Sequence, residues 1–181
     1  MKNICIPLAG GFEEIEAVTL IDVLRRAGFS VTACGLGGLQ VRGSHDISVA
    51  ADMTVDEALE GSWDLVVLPG GMPGAANLRD DARIGRLLEK VYDSGGYVGA
   101  ICAAPIVLSH FGFVKDRKAT SYPSFAGQMT GSEYSEERVV FDGRVLTSRG
   151  PGTAMEFALS ITELFAGHAK AEELRNQMLI K

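Results

Sequence analysis

Short apolar runs alternate with amphipathic helical segments along most of this chain, and that alternation leaves few folds open to it. Asn3 to Ala9 is an apolar run closed by Gly10-Gly11. Glu13 to Ala27 follows, with Ile15, Val18, Ile21, Val23 and Leu24 recurring at helical spacing and Gly28 supplying a stop. Phe29 to Gly35 and Trp63 to Leu68 read as further strands. The segment Asp80 to Asp93 presents Ile84, Leu87, Leu88 and Val91 on one helical face, and Gly95-Gly96 leads into a strand over Tyr97 to Ile101. Strands that are apolar throughout, separated by helices, have both faces covered. The expected fold is therefore an α/β three-layer α/β/α sandwich with a mostly parallel sheet and helices on both faces.

Two places break the rhythm. Leu39 to Arg42 and Ile47 to Ala50 look like a hairpin excursion, and Asp142-Gly143 between Arg138 to Asp142 and Arg144 to Ser148 is a hairpin signal. Arg149-Gly150-Pro151-Gly152 then opens a helix from about Thr153 to Phe165 that Gly167 ends, and Ala169 to Leu179 reads as a short closing helix. With 181 residues and no internal repeat or linker, one domain over residues 1–181 is expected.

A formal net charge of −6 with scattered arginines disfavours charge-driven binding of nucleic acid. Cys5, Cys34 and Cys102 form no CxxC pair and, with three scattered histidines, give none of the usual metal spacings, so neither a metal nor a disulfide framework is expected. The apolar start runs straight into the acidic Glu13, Glu14 and Glu16, and no apolar stretch approaches the ~20 residues of a membrane span. A reduced, cytoplasmic chain with no membrane partner is the expectation.

In an open parallel sheet, sites gather where loops leave the carboxyl ends of the strands. Three loops qualify: Gly10 to Glu16, Pro69 to Gly74, and Cys102-Ala103-Ala104. A thiol at a strand-to-helix turn meets the free N–H groups that open the helix, which favours thiolate. Glu16, kept neutral by desolvation, would donate a hydrogen bond to that thiolate. The N–H groups of Gly71 and Ala103 would hold negative charge developing on a substrate oxygen. Cys5 and Cys34, inside strands, read as buried packing groups. Arg25 and Arg26 suit the C-terminal end of a helix.

Gly11-Phe12-Glu13-Glu14-Ile15-Glu16, Leu68-Pro69-Gly70-Gly71, Ala100-Ile101-Cys102-Ala103-Ala104-Pro105 and Thr147-Ser148-Arg149-Gly150-Pro151-Gly152-Thr153, in that order and spacing, resemble the ThiJ/PfpI superfamily and, within it, its DJ-one branch. The resemblance covers about Asn3 to Leu179. It implies a flavodoxin-like sandwich, a homodimer, and a reactive cysteine at a nucleophile elbow, which Cys102 matches. Glu16 matches the glutamate that hydrogen-bonds that cysteine, and Gly71 and Ala103 match the oxyanion-hole positions. Members are described as glyoxalases acting on reactive dicarbonyls without a cofactor, as deglycases of glycation products, as oxidation-sensing chaperones, or as peptidases.

The chain departs from the branch at Tyr122, where several members have a histidine, and at His45, where an arginine is common. Protease-type members place a histidine directly after the cysteine, and this chain has Ala103. Gly70, Tyr122, Arg149 and His45 complete the candidate substrate-contacting set, with Arg149 suited either to a substrate anion or to locking its own loop through carbonyls. The resulting expectation is a cofactor-independent glyoxalase or deglycase that uses Cys102 on an aldehyde or dicarbonyl. The alternatives are an oxidative-stress sensor and redox chaperone acting through Cys102 sulfinate, and a cysteine peptidase.

Overall fold

Side chains alternate across each strand, and this divides the interior into two layers. In the first strand Ile4, Ile6 and Leu8 pack into one layer while Cys5 faces the other. Leu65 and Val67 share the first layer, and Val66 and Leu68 share the second. The computed structural model of the protein describes residues 1–180. In chain order its elements are β1 (Asn3–Leu8), α1 (Glu14–Arg26), β2 (Ser30–Gly35), β3 (Gln40–Arg42), β4 (Ser48–Ala50), β5 (Met53–Thr54), α2 (Val55–Glu60), β6 (Leu65–Leu68) and α3 (Gly74–Arg79). They continue with α4 (Ala82–Asp93), β7 (Tyr97–Ile101), α5 (Pro105–His110), β8 (Lys118–Ala119), β9 (Glu133–Tyr134), β10 (Val139–Asp142), β11 (Val145–Ser148), α6 (Ala154–Ala166) and α7 (His168–Gln177).

The main sheet has seven strands in the order β10-β11-β7-β6-β1-β2-β5. All neighbours are parallel except β10 and β11, which form the hairpin around Asp142-Gly143. Helices α1, α6 and α7 cover one face through Leu20, Leu24, Phe157, Ile161 and Leu174. Helices α2 to α5 cover the other through Val55, Ala58, Leu78, Ile84, Leu87, Leu88 and Val107. Each large apolar side chain buried this way contributes about 1.5–3 kcal/mol relative to exposure. The expected sandwich and its mostly parallel sheet are present.

Local signals explain the boundaries. Asp81 caps α4 by accepting from the Arg83 N–H, so the helix begins at Ala82 and not at Asp80, and the preceding turn is a separate helix, α3. Helix α2 was not expected. Its start is a capping box between Thr54 and Glu57, a signal followed by too few apolar residues to show a helical period. Strands β3 and β4 form the expected hairpin as a small sheet of their own. The stretch after α5 holds the two-residue strands β8 and β9, too short for any pattern to reveal. On α1, Ile15 and Val18 remain 59% and 49% exposed, an apolar stripe on the outer side of the helix. No helix among the described residues is long and apolar enough to cross a membrane.

Candidate active site

Strand order assembles the site. Because β6 lies between β1 and β7, the turn after β6 is flanked by the turns after its two neighbours. Gly70 stands at that junction. A Cβ on Gly70 would lie 2.7 Å from Cys102 Cβ, 2.8 Å from Glu16 Oε2 and 2.9 Å from the Ala103 nitrogen, so these three groups close on a position only glycine can occupy. The Gly70 N–H donates to Glu16 Oε2 at 2.7 Å, and its carbonyl accepts from the Glu13 N–H at 2.9 Å. Gly71 follows with φ +89°, and a Cβ there would strike the Glu13 nitrogen at 2.3 Å.

Cys102 sits in the left-handed region, φ 65°. For a residue with a Cβ this costs about 1–3 kcal/mol and persists only where the surroundings enforce it. Here its N–H donates to the Ser148 carbonyl at 2.9 Å, and its carbonyl accepts from the Tyr122 N–H at 2.7 Å. The strained turn points the thiol at Glu16 and at the N–H groups of Gly71 and Ala103.

The electrostatics follow from this crowding. Burial pushes the Glu16 carboxyl up, the Cys102 thiol and the Gly70 N–H pull it down, the Glu13 charge pushes it up again, and the balance leaves it at about 7. Its Oε1 is buried and takes no nitrogen or oxygen donor among the described residues. Cys102 departs from expectation. Burial, then the charge and hydrogen bond of Glu16, hold the thiol well above its ordinary value, against the opposing pull of the Ala103 and Gly71 N–H groups. Burial and Glu16 thus act against the thiolate that a helix start would favour. The reason is geometric: α5 begins only at Pro105 and runs six residues, while a carboxyl group lies directly against the sulfur.

The outer residues fall into place differently. Glu14 is buried and accepts from the His45 N–H at 2.6 Å, from the Ile47 N–H at 3.4 Å and from the Ser44 hydroxyl, with His45 Nδ1 at 2.9 Å. Burial opposes its ionisation, but these donors prevail and hold it at about 2. His45, exposed, is raised by Glu14 and by the nearby Glu13 and Asp46 charges. Ligand atoms of Glu13, Glu14 and His45 lie within 4.8 Å of one another, but Glu14 already spends its oxygens on pinning the β3–β4 hairpin to α1.

Tyr122 is 45% exposed beside Gly150, whose Cβ would meet the ring at 3.3 Å. Arg149 does not lock its own loop. Thr153 Oγ1 accepts from the N–H groups of Arg149 and Gly150, and Arg138 bonds the Gly152 carbonyl, while Arg149 Nη1 is buried without a partner among the described residues. His110 lines a separate cleft with Arg79 and Asp80, His168 pairs with Glu163, and Arg25 and Arg26 pair with Asp52 and Asp22. Ser148 and Thr153, which anchor the Cys102 backbone and its neighbouring loop, were not singled out from sequence. The Thr after Pro-Gly was the available cue, as a residue able to cap the turn.

The chain belongs to the DJ-1/PfpI family, whose model matches residues 2–164. The chain is 42% identical over 182 residues to Drosophila melanogaster protein dj-1beta, covering 99% of this chain and 97% of that one. The crystal structure of Drosophila melanogaster DJ-1beta superposes with a TM-score of 0.96 at 41% identity, over 99% of this chain and 98% of that one. Arabidopsis thaliana protein DJ-1 homolog B is 42% identical over 98% of this chain, which spans only 41% of that longer protein. A Caenorhabditis elegans relative, 38% identical over 90% of this chain and 87% of its own length, is named glutathione-independent glyoxalase DJR-1.2.

Proposed function

We propose that this chain is a cofactor-independent glyoxalase or deglycase that acts on reactive dicarbonyls or their adducts, with Cys102 as nucleophile and Glu16 as proton carrier. The observation that carries this is the closure of Cys102, Glu16 and the Ala103 amide around Gly70, with the carboxyl poised at about 7. The name of the Caenorhabditis elegans relative, a glyoxalase independent of glutathione, supports the reaction class.

With the thiol protonated at rest, ionised Glu16 acts first as a general base. It takes the Cys102 proton as sulfur adds to the aldehyde carbon, and the new oxyanion falls to the Gly71 and Ala103 N–H groups. Glu16 returns that proton to the oxyanion, and in the resulting hemithioacetal it relays the proton from the former aldehyde carbon to its neighbour while the hydroxyl proton passes to the former ketone oxygen, which yields a thioester of the hydroxy acid. Water then releases the product and the thiol. With methylglyoxal the net reaction adds one water and gives lactate.

The base must be ionised, so kcat/KM for lactate release from methylglyoxal is expected to rise with pH through about 7. A Glu16→Gln protein loses that limb. A flat profile through neutrality, or no lactate from protein whose thiol is intact, would overturn the proposal. We also propose a homodimer that uses the exposed Ile15 and Val18 stripe of α1. Sedimentation should give twice the chain mass, and Val18→Glu should return it to a single chain; an unchanged mass excludes this surface.

A further inference from the structure

Cys5 and Cys34 take no part in the chemistry above. They lie on neighbouring parallel strands, where Cys5 stands opposite Thr32 and Pro7 opposite Cys34, so the two cysteines are diagonal neighbours on one face of the sheet. Their sulfurs are 3.1 Å apart. Carbon atoms pack best at about 3.5–4.0 Å, and sulfur is the larger atom, so this is close thiol-to-thiol contact. Both residues are fully buried, in the layer that also holds Val55 and Ala58 of α2.

We propose that Cys5 and Cys34 are a dithiol that a hydroperoxide converts to an intrachain disulfide, a modification independent of Cys102. One sulfur attacks the peroxide oxygen and becomes a sulfenic acid as the O–O bond breaks and an alcohol leaves, or water in the case of hydrogen peroxide. The second sulfur attacks the sulfenic sulfur, the S–S bond forms, and the hydroxyl departs as water. Two thiol hydrogens are lost, two electrons pass to the peroxide, and no other reactant is needed. Because the second thiol is already in contact, the sulfenic acid is captured before further oxygen can add. The sulfurs need to close by only about 1 Å to reach bonding distance.

Access comes from the weakest part of the cover. Cys34 pairs across β2 with Met53 of β5, the two-residue edge strand, and α2 over it is six residues long. Short elements of this kind open locally at far lower cost than the whole fold. Burial raises the Cys5 thiol well above its ordinary value, so reaction waits on such opening and is slow. The closed bond would span residues 5 to 34 and bracket α1, the helix that carries Glu16, constraining the unfolded chain.

The test uses Cys102→Ser protein treated with hydrogen peroxide, then denatured, alkylated and mapped by mass spectrometry, with the wild-type chain mapped alongside. Expected is the loss of two hydrogens, a peptide linking Cys5 to Cys34 in both proteins, reversal by dithiothreitol and a higher melting temperature for the oxidised form. Adding Cys5→Ala should abolish the link. Full alkylation of Cys5 and Cys34 after peroxide, oxygen addition on either, or a link from either to Cys102 in the wild-type chain would overturn the proposal. The wild-type map separates these outcomes even if a variant folds poorly.

Discussion

Cys102→Ser is expected to remove lactate release from methylglyoxal, lowering kcat/KM by at least about 10³-fold, with the fold intact. Serine keeps the shape of the turn and the two bonds that hold it, from the residue's N–H to Ser148 and from the Tyr122 N–H to its carbonyl. What it lacks is acidity. A carboxylate at about 7 can accept a proton from a thiol as sulfur attacks, but a hydroxyl is too weak an acid for it. Glu16 and the Gly71 and Ala103 amides stay in place, so any residual rate reports what they contribute without the thiol. The companion Glu16→Gln protein should lose about 10²–10⁴-fold, the usual worth of a positioned acid–base group. Circular dichroism and a thermal melt establish that both variants fold. Turnover that survives in Cys102→Ser would sink the nucleophile assignment and leave oxidation sensing as the better reading of this cysteine.

The sandwich was legible because its strands are apolar on both faces and its longer helices keep a clean period, as Ile84, Leu87, Leu88 and Val91 of α4 do. Strand order was not. Nothing in the spacing of Pro69 and Cys102 says that β6 lies between β1 and β7, yet that placement is what brings Gly70, Glu16 and Cys102 together. Motif resemblance supplied the grouping that local patterns lacked. The protonation state of the thiol escaped for a related reason: a helix after the cysteine is visible in sequence, whereas burial and the Glu16 charge against the sulfur arise only from tertiary packing. The Cys5 and Cys34 contact escaped too, because it depends on the register of β1 against β2, which a one-residue slip would destroy. The role of Arg149 depended on loop geometry, and Thr153 is the residue that holds that loop.

Glu16→Gln is expected to stabilise the fold above neutral pH while it cripples turnover. An unfolded glutamate releases its proton near pH ~4.3, whereas the folded chain keeps the Glu16 proton until about pH 7. Between these values the folded state binds more protons than the unfolded state, so the free energy of unfolding falls as pH rises. Below both values there is no penalty; above pH 7 the whole of it is present, about 4 kcal/mol. Glutamine is neutral throughout and retains an oxygen to accept the Gly70 N–H now held by Oε2. Its denaturation midpoint should therefore match the parent near pH 4 and exceed it at pH 8.5, as urea unfolding at the two pH values will show. Parallel stability curves for the two proteins would refute the buried-carboxyl account. The same substitution removes the negative charge that holds the Cys102 thiol up, so the thiol should titrate lower and alkylate faster at a given pH. A cysteine that becomes more reactive while catalysis collapses separates a proton carrier from a group that merely orients the sulfur, because loss of orientation alone would slow alkylation and turnover together.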